Sequence, residues 1–539
     1  MTGAEAFAKC LEKEGVEVIF GYPGAVICPF FDAVLDTKIR TILVRQEQNA
    51  AHEASGYARI SGKPGVAVAT SGPGAINLMT GIATAFADSV PLVCITGQVD
   101  SSLMGTDGFQ EADVAGAVES FVKYSYIVSD PNDIPEIVKE AFYIASSGRK
   151  GPVLIDLPFN MQTKSIEKFV YPEEVNLRTY KPTVTGHSVQ IKKVIKELES
   201  SKKPLILAGG GVHLSDAVGD VREFVEKRKI PIVSTMMGLG VMPTEDPLYF
   251  GMVGNNGQQC ANLAMKDADM IIMVGARVAD RTIRDPNLIS ENKILVHIDI
   301  DPAEIGKNAG PTIPIVGDIS HIFREFNKEK PIGDYSEWTE QLAEKRAEEI
   351  LRRMERKAAE KIDPRSFIRT LSLAMKDDAI YAADVGQNQL WSCANYVIRK
   401  GRFMTSGGMG TMGYALPAAI GAKTAQPSKQ VVAVCGDGGF QMNMMELATA
   451  QQYKIPVKLV VLRNNTLGLV RQYQHTHYHD RYAVTTLEGG PDLSHLAEAY
   501  DMDYLRLEKT DDTDAILENF LKDKKSVILE VIIDPDLWA

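Results

Sequence analysis

The sequence predicts an α/β protein built from three doubly wound parallel-sheet domains. Short β-branched runs such as TILV, PLVCIT and VKLVVL alternate with helical patterns along most of the 539 residues, and strands separated by helices form parallel sheets with helices on both faces. Two stretches interrupt the alternation: residues 162–188 are polar and extended, and residues 329–364 hold a charged helix closed by a proline. Because 539 residues exceed what one core normally holds, we expect domains at 1–162, 188–330 and 365–539.

Composition and charge narrow the class of protein. The chain carries 58 Lys and Arg against 70 Asp and Glu, a formal charge of −12, which argues against a nucleic-acid partner. No apolar run approaches the about 18 residues that a membrane span requires, so no membrane partner is expected. Six scattered cysteines without a CxxC pair indicate reduced thiols and a cytoplasmic location rather than a disulfide frame or a zinc site. The N-terminus predicts an amphipathic helix followed by a strand, so no signal peptide is expected.

Two predicted strands of the last domain end at polar residues. The run VVAVC stops before Gly436 and Asp437, and the run VKLVVL stops before Asn464, 27 residues after the aspartate. Consecutive strands of a right-handed βαβ unit end at the same edge of the sheet, so Asp437 and Asn464 should meet where open α/β sheets bind ligands. Their oxygens, with the backbone carbonyl of Thr466, make a ligand set suited to Mg²⁺. Either piece alone would equally fit an ordinary turn. The glycines that would let a diphosphate approach the backbone are Gly436, Gly438 and Gly439.

This pattern resembles the diphosphate–Mg²⁺ signature of thiamine-diphosphate enzymes, in which GDG is followed by NN. Both Asn464 and Asn465 fit the spacing, and the following NTLGLVRQYQ matches the family when Asn464 is the ligand. The resemblance implies thiamine diphosphate and Mg²⁺ as cofactors.

A segment of the first predicted domain supplies the other half of such a site. RQEQNAAHEASGYAR at 45–59 is similar to RHEQxAAHxAxGYAR of the same enzymes, with Gln46 at the usual histidine. The resemblance implies that Glu47 hydrogen-bonds the aminopyrimidine ring and so favours the tautomer that takes the thiazolium proton. Taken alone, Glu47 would equally cap the helix that opens at Gln48.

Five further segments resemble the acetohydroxyacid (acetolactate) synthase large subunit. A single glycine-rich match is weak, but together the segments extend the resemblance from residue 1 to about 535. It implies a transferase of branched-chain amino acid biosynthesis, a carboligase that decarboxylates pyruvate and joins it to a second 2-oxo acid. The product is 2-acetolactate, or 2-aceto-2-hydroxybutyrate when 2-oxobutyrate is the acceptor. The segments are GYPGAVICPFFDAV (21–34), TSGPGAINLMTGIATAFADSVPLVCITGQV (70–99), GTDGFQEADV (105–114), DVGQNQLW (384–391) and TSGGMGTMGYALPAAIGAK (405–423).

The family resemblance also implies roles for individual residues. The first domain would bind the pyrimidine and the third the diphosphate. The Gly410 carbonyl would face the pyrimidine amino group, and Met412 would bend the cofactor, although Met412 alone equally fits a core position. The remaining implied contacts are Pro23, Gly24 and Gln387 to thiamine diphosphate and Phe109, Gln110 and Lys123 to substrate.

Oligomeric partners follow from the same resemblance. In the family the glutamate and the metal site of one active centre come from different subunits, which implies a homodimer or homotetramer with active sites at the subunit interface. A separate small regulatory subunit is a further expectation of the family.

The middle domain is expected to bind FAD in a structural role. Its strands finish in glycines or acids, which suits a nucleotide at a carboxyl edge, but no GxGxxG fingerprint is present and a ligand-free domain fits equally. Arg281 in GARVADR matches the family arginine that contacts the carboxylate of the second 2-oxo acid. Without the family, a surface ion pair would explain Arg281 as well. The residues implied in FAD binding are Gly209, Gly210, Gly211, Arg277, Asp299 and Asp318.

Several positions depart from the family pattern. Tyr473 stands where tryptophan is usual, GNNG at 254–257 lacks the customary histidine, Ala279 replaces an acid, and Tyr124 replaces a histidine. The sequence ends at VIIDPDLWA, where the family commonly continues into a tail over the active site. These departures concern the acceptor side and leave the catalytic core intact.

Other functions remain open at this stage. Alternatives of the same build are a thiamine-diphosphate 2-oxo acid decarboxylase or oxidase and an FAD-independent catabolic acetolactate synthase. A glyoxylate carboligase is disfavoured because that family has valine at the position of Glu47. A non-catalytic homologue is disfavoured because Glu47, Asp437 and Asn464 are all present.

Overall fold

The computed structural model describes residues 1–330, 333–354, 360–522 and 525–539, with the side chains of residues 353 and 354 left out. The described chain holds three six-stranded sheets in which neighbouring strands run parallel. The α/β class with three parallel sheets is therefore confirmed. Within the described residues, no helix is both long and apolar enough to cross a membrane.

The first sheet has the strand order β2-β1-β3-β4-β6-β5. Strand β2 lies on one side of β1 and strand β3 on the other, so the strand order reverses between β1 and β3. Such a switch point creates a crevice at the carboxyl edge of the sheet. Strands β1 to β6 are Val18–Tyr22, Arg40–Leu43, Gly65–Ala69, Leu92–Gln98, Tyr124–Ile127 and Pro152–Pro158. Helices α1 to α7 are Gly3–Lys13, Cys28–Val34, Glu47–Ser61, Pro73–Ala87, Val114–Val118, Ile134–Ser146 and Phe159–Thr163.

The middle sheet has a different order, β12-β11-β10-β7-β8-β9, which is that of dinucleotide-binding folds. Its crevice lies between β7 and β10. Strands β7 to β12 are Pro204–Ala208, Ile232–Ser234, Tyr249–Met252, Met270–Val274, Ile294–Asp299 and Ile313–Val316. Helices α8 to α14 are Ser188–Ser200, Gly211–Leu214, Val218–Arg228, Gln259–Asp267, Asn287–Ser290, Ile319–Lys328 and Ser336–Met354.

The third sheet repeats the strand order of the first, as β14-β13-β15-β16-β18-β17, with its crevice between β13 and β15. Strands β13 to β18 are Ile380–Ala383, Arg402–Met404, Val431–Gly436, Lys458–Arg463, Asp503–Leu507 and Val527–Ile532. Helices α15 to α22 are Pro364–Ala374, Gln387–Asn395, Ala415–Ala425, Asp437–Asn443, Glu446–Gln452, Gly468–Tyr478, Leu493–Ala499 and Thr513–Lys522. Short 3₁₀ turns lie at Ala25–Ile27, Glu119–Phe121, Pro131–Asp133 and Met236–Gly238.

The segments between the sheets follow the sequence pattern. Residues 164–187 form neither helix nor strand. The charged helix expected within 329–364 is α14, while residues 331, 332 and 355–359 of that stretch lie outside the described part. The three domain boundaries stay predictions.

The first and third sheets pack together through α3 and α17. Both helices are rich in alanine and glycine, so their backbones approach closely. A Cβ atom added at Gly56 would lie 2.0 Å from the Ala418 carbonyl oxygen, and one at Gly421 would lie 1.8 Å from the Glu53 carbonyl oxygen. The apolar core of both sheets is continuous across this contact. The contact between α3 and α17, called the seam below, therefore fixes the relative orientation of the carboxyl edges of the first and third sheets.

Candidate active site

Asp437 and Asn464 lie together at the carboxyl edge of the third sheet. They follow the adjacent strands β15 and β16, which pair in register. The Asp437 carboxylate accepts the backbone N–H groups of Asn464 at 3.1 Å, Asn465 at 2.6 Å and Gly438 at 2.9 Å. Burial raises the pKa of Asp437 to about 6, against the opposing effect of these donors. The side chain is thereby fixed in orientation, as a metal ligand needs to be.

The neighbouring donor atoms fit a hard cation. The Asn464 Oδ1 atom accepts the Thr466 N–H at 3.1 Å and keeps a second lone pair. Thr466 and Thr486 form an isolated antiparallel bridge, in which the N–H groups of Leu487 and Leu467 donate to the carbonyls of Asn465 and Thr485. The Thr466 carbonyl takes no part in this bridge. One carboxylate, one amide oxygen and one carbonyl match the oxygen ligands that Mg²⁺ prefers.

Space for a diphosphate lies beside this set. A Cβ atom added at Gly436 would have no neighbour within 4 Å, whereas one added at Gly438 would lie 2.7 Å from Leu467 Cδ2 and 3.6 Å from the Met412 Cε atom. The Thr466 hydroxyl is buried without a partner among the described groups. An orphaned buried hydroxyl next to open glycine backbone fits an anionic group at the start of α18.

The loop that carries Gly410 and Met412 is held at both ends by buried carboxylates. Asp384, which follows β13, accepts the N–H groups of Gly413 and Ala415, each at 2.9 Å. Burial raises the pKa of Asp384 to about 6. The loop between these anchors includes Gly410, whose φ of +72° lies in the left-handed region that glycine adopts readily.

The other end of this loop is held from the first sheet. Asp88 accepts the N–H groups of Gly408 at 2.7 Å and Gly407 at 3.2 Å, and it pairs with Arg59 at 2.7 Å. The sequence pattern identified neither Asp88 nor Asp384. Asp384 carries the same signal as Asp437, an acid directly after an apolar strand, whereas Asp88 gives no local signal.

Gln387 lies at the start of α16, next to the predicted metal ligands. The added Cβ of Gly468 would lie 2.0 Å from Gln387 Oε1 and 3.1 Å from Asn464 Nδ2, so these two predicted residues flank one glycine. Gln387 Nε2 donates to Gln472 Oε1 at 2.9 Å and to the Leu537 carbonyl at 3.0 Å. Its Oε1 atom is buried without a partner among the described groups.

The residues predicted from the first domain gather at the edge of the first sheet. Glu47 opens α3, and its Oε2 atom accepts from Asn77 Nδ2 at 3.0 Å. Gly24, which follows Pro23, lies close to Thr70, because a Cβ atom added at Gly24 would be 2.4 Å from Thr70 Oγ1. Gly74 lies close to Glu47, because a Cβ atom added there would be 3.2 Å from Glu47 Oε1. Within the described chain, Glu47 makes no hydrogen bond to the Asp437 edge.

The predicted substrate residues are placed unevenly. The Gln110 carbonyl would lie 2.7 Å from an added Cβ at Gly72, close to the end of β3, but Phe109 is 88% exposed. Lys123 Nζ donates to the carbonyls of Ile144 and Ser147 and to the Tyr180 hydroxyl. Burial lowers the pKa of Lys123 to about 7. Because three acceptors occupy the ammonium group, a substrate contact by Lys123 would require one of these bonds to open.

Three family models of thiamine pyrophosphate enzymes match along the chain. The N-terminal TPP binding domain matches residues 1–117, the central domain matches 191–326, and the C-terminal TPP binding domain matches 384–531. The chain is 43% identical to the probable acetolactate synthase large subunit of Methanocaldococcus jannaschii, over 99% of this chain and 92% of that protein. The chain belongs to the acetolactate synthase large-subunit family. The chain is also 42% identical to the acetolactate synthase large subunit of Lactococcus lactis, over 99% of this chain and 92% of that protein. It is 40% identical to the acetolactate synthase isozyme 3 large subunit of Escherichia coli, over 99% of this chain and 95% of that protein. The resemblance noted in the sequence is thereby confirmed.

In this member of the acetolactate synthase large-subunit family, the middle sheet offers a dinucleotide cradle at its crevice. A Cβ atom at Gly209 would lie 2.1 Å from the Gly275 carbonyl oxygen, and one at Gly211 would lie 2.7 Å from the Gly275 Cα atom, so only glycine allows β7 and β10 to end so close together. Gly210 lies between them and approaches Met237. The glycines are thus required by packing within the chain, and the strand order of this sheet is the feature it shares with dinucleotide-binding folds.

The other predicted FAD residues have partners within the chain. Arg277 Nη2 donates to the Ala87 carbonyl at 2.7 Å, and Asp318 caps α13 by accepting the N–H groups of Ser320 and His321. Asp299 ends β11, where burial raises its pKa to about 6. The strand order of the middle sheet suits a nucleotide, whereas Arg277, Asp299 and Asp318 all have hydrogen-bond partners within the chain.

Arg281, the predicted acceptor-binding arginine, and several positions that depart from the family pattern lie on exposed surface or loops. Arg281 has an 82% exposed side chain, 3.9 Å from Asp280. Tyr473 is also exposed and stacks on His477 with ring centroids 4.2 Å apart. Asn255, in the GNNG segment, donates its N–H to the Arg281 carbonyl at 3.0 Å. The acceptor side of the predicted site thus lies on the outside of the single chain.

Proposed function

We propose that this protein is the catalytic subunit of a thiamine-diphosphate-dependent acetolactate synthase. It would decarboxylate pyruvate and join the remaining two-carbon unit to a second 2-oxo acid, giving 2-acetolactate or 2-aceto-2-hydroxybutyrate. The observation that carries the proposal is the meeting of Asp437 and Asn464 at the carboxyl edge of the third sheet, beside the anchored loop of Met412. The chain that holds them is related over 99% of its length to acetolactate synthase large subunits.

Each residue has a proposed task. Asp437, Asn464 and the Thr466 carbonyl would hold Mg²⁺, while Gln387 and the glycine turn 436–439 would hold the diphosphate. Thiamine diphosphate, when bound, supplies the nucleophilic carbon and the electron sink for loss of CO₂. Glu47 would hold a proton at a pyrimidine nitrogen, and Arg281 would bind the acceptor carboxylate through paired N–H groups.

Further partners belong to the same proposal. FAD would lie in the Gly209–Gly275 crevice in a structural role. The exposed Phe109 and Arg281 would be covered in a homodimer or homotetramer, where Glu47 of one subunit serves the metal edge of another. A small regulatory subunit is proposed because the relatives are named large subunits, and a cytoplasmic location suits the reduced cysteines.

Product analysis tests this function. Purified protein would be incubated with thiamine diphosphate, Mg²⁺, FAD and ¹³C-labelled pyruvate, and the carbon followed by NMR. We expect acetolactate from the wild type and a loss of about 100-fold or more in Glu47→Gln, because proton transfer assisted by the carboxylate is removed. The matched control is Gln46→His, which restores the residue usual in the family and should stay active. Acetaldehyde or acetate as the main product would instead indicate a decarboxylase or an oxidase.

A further inference from the structure

Two glutamates meet inside the seam between the first and third sheets. Glu53 lies on α3 and Glu446 begins α19, and both are 0% exposed. Glu446 is well supplied with donors: Oε1 accepts the Arg45 N–H at 2.8 Å and Asn49 Nδ2 at 2.9 Å, and Oε2 accepts Thr449 Oγ1 at 2.5 Å. A carboxylate with three donors is stable in its ionised form.

Glu53 has the opposite surroundings. Among the described residues, no N–H or hydroxyl group donates to its carboxyl oxygens. The Glu446 side chain is close enough to raise the pKa of Glu53 both by its charge and by hydrogen bonding. Two ionised carboxylates cannot form a hydrogen bond, so one of them must carry a proton. Because Glu446 already accepts three donors, the proton belongs on Glu53. Burial and the charge of Glu446 raise the pKa of Glu53 well above its ordinary value, while Arg45 opposes them.

Other titratable groups near α3 do not replace this proton. His52, beside Glu53, is fully buried against Tyr414, and burial lowers the pKa of His52 to about 3, which leaves it neutral. The other titratable groups on α3 are Glu47, Tyr57 and Arg59, which bond to Asn77, Glu17 and Asp88 respectively. The elements packed against α3 add Tyr22 on β1, Cys94 on β4 and Lys423 on α17.

We propose that Glu53 and Glu446 share one proton and act as a positioning device for Glu47. Glu446 binds the chain at Arg45 and Asn49, two residues before and two residues after Glu47. The first turn of α3, which aims the Glu47 carboxylate, is thus fixed from the third sheet of the same chain. Loss of the shared proton would place two anions together in the seam and loosen both bonds. This inference rests on the proposed function of Glu47.

The shared proton is tested on the cofactor-free protein. We expect an infrared band of a protonated carboxyl group at neutral pH, and a weaker band in Glu53→Gln, where the buried Asp156, whose pKa burial raises to about 7, still contributes. Because the folded pKa of Glu53 lies above its unfolded value, the stability that the pair contributes is fully present at acidic pH. It is lost as the pH rises through the folded value. The wild type should therefore lose thermal stability with rising pH, and Glu53→Gln should lose less. Identical spectra and pH profiles in both proteins would overturn the shared proton, whether or not the enzyme turns over.

The positioning role is tested by the rate. Glu446→Gln should lower kcat roughly 10-fold or more, since small displacements of a catalytic group are costly, with KM for pyruvate and the Kd for thiamine diphosphate within twofold. Glu53→Gln, which still donates to Glu446, should keep most of the wild-type rate. Unchanged kcat in Glu446→Gln would overturn the positioning role. A wild type inactive with pyruvate would contradict the proposed function and leave the infrared result standing.

Discussion

The cofactor edge of the third sheet and the predicted acceptor side are built differently. Asp437 and Asp384 are buried and accept three and at least two backbone N–H groups respectively. Phe109 and Arg281 project from the same chain with 88% of the residue and 82% of the side chain exposed. The two carboxylates of the first region find their hydrogen-bond donors within the chain, whereas the two side chains of the second region have almost no partners there.

The difference separates two requirements of a catalytic site. Ligands of a metal and of a diphosphate work when they are held in place before binding, which buried carboxylates achieve by collecting backbone donors. Exposed aromatic and methionine side chains instead mark surfaces that are covered by another molecule. Met409 and Met442, on either side of the Met412 loop, are also about half exposed. We therefore expect mutations at the cofactor edge to affect folding and cofactor binding, and those on the acceptor side to affect only substrate.

The largest effect is expected from Asp437→Ala. The substitution removes a proposed Mg²⁺ ligand and leaves three N–H groups without an acceptor. We expect the Kd for thiamine diphosphate in saturating Mg²⁺ to rise by more than about 100-fold, beyond the range for outer-shell residues. Titration by intrinsic fluorescence would measure it. The matched control is Asn465→Gly, since glycine keeps the left-handed backbone of this residue (φ +56°). A loss in the control equal to that of Asp437→Ala would make Asn465, rather than Asn464, the metal ligand.

A smaller effect on the same edge is expected from Asp384→Asn. The amide nitrogen would face a backbone N–H group of the Met412 loop, leaving a buried donor unpaired at a cost of about 1–3 kcal/mol in the free energy of unfolding. Denaturant titration of the cofactor-free protein would show it. Gly436→Ala is the control, because the added Cβ has no neighbour within 4 Å, and its stability should match that of the wild type. Wild-type stability in Asp384→Asn would mean that the loop does not depend on this anchor.

The fold class and part of the cofactor edge could be predicted from the sequence because their signals are local. Alternating strands and helices indicated parallel sheets, and polar residues directly after strands indicated Asp437 and Asn464. The repeated strand order of the first and third sheets could not be predicted, since it depends on contacts between distant segments. Asp88 and Gly408 are 320 residues apart, and nothing near either residue in the sequence indicates the bond.

The substrate side was the least predictable for the same reason. The three partners of Lys123 are Ile144 in α6, Ser147 directly after α6 and Tyr180 in the linker after α7. They became visible only in the folded chain. The exposure of Phe109 and Arg281 also depends on which surfaces the remaining chain covers. A motif identifies these residue types but does not determine their surroundings, so their contacts with substrate remain predictions.

The smallest effect is expected on the acceptor side, from Arg281→Lys. Lysine keeps the charge but loses the paired N–H groups that match a carboxylate. We expect KM for the acceptor 2-oxo acid to rise roughly 10-fold, about 1.4 kcal/mol, while the free energy of unfolding changes by less than about 0.5 kcal/mol, as for other exposed positions. Competition between pyruvate and 2-oxobutyrate, followed by product analysis, would measure the acceptor effect. Arg284→Lys is the matched control, an exposed arginine on the same loop that should change neither quantity. A loss of stability in Arg281→Lys, or an equal change in the control, would show that the acceptor side is not the separate, partner-dependent surface that its exposure indicates.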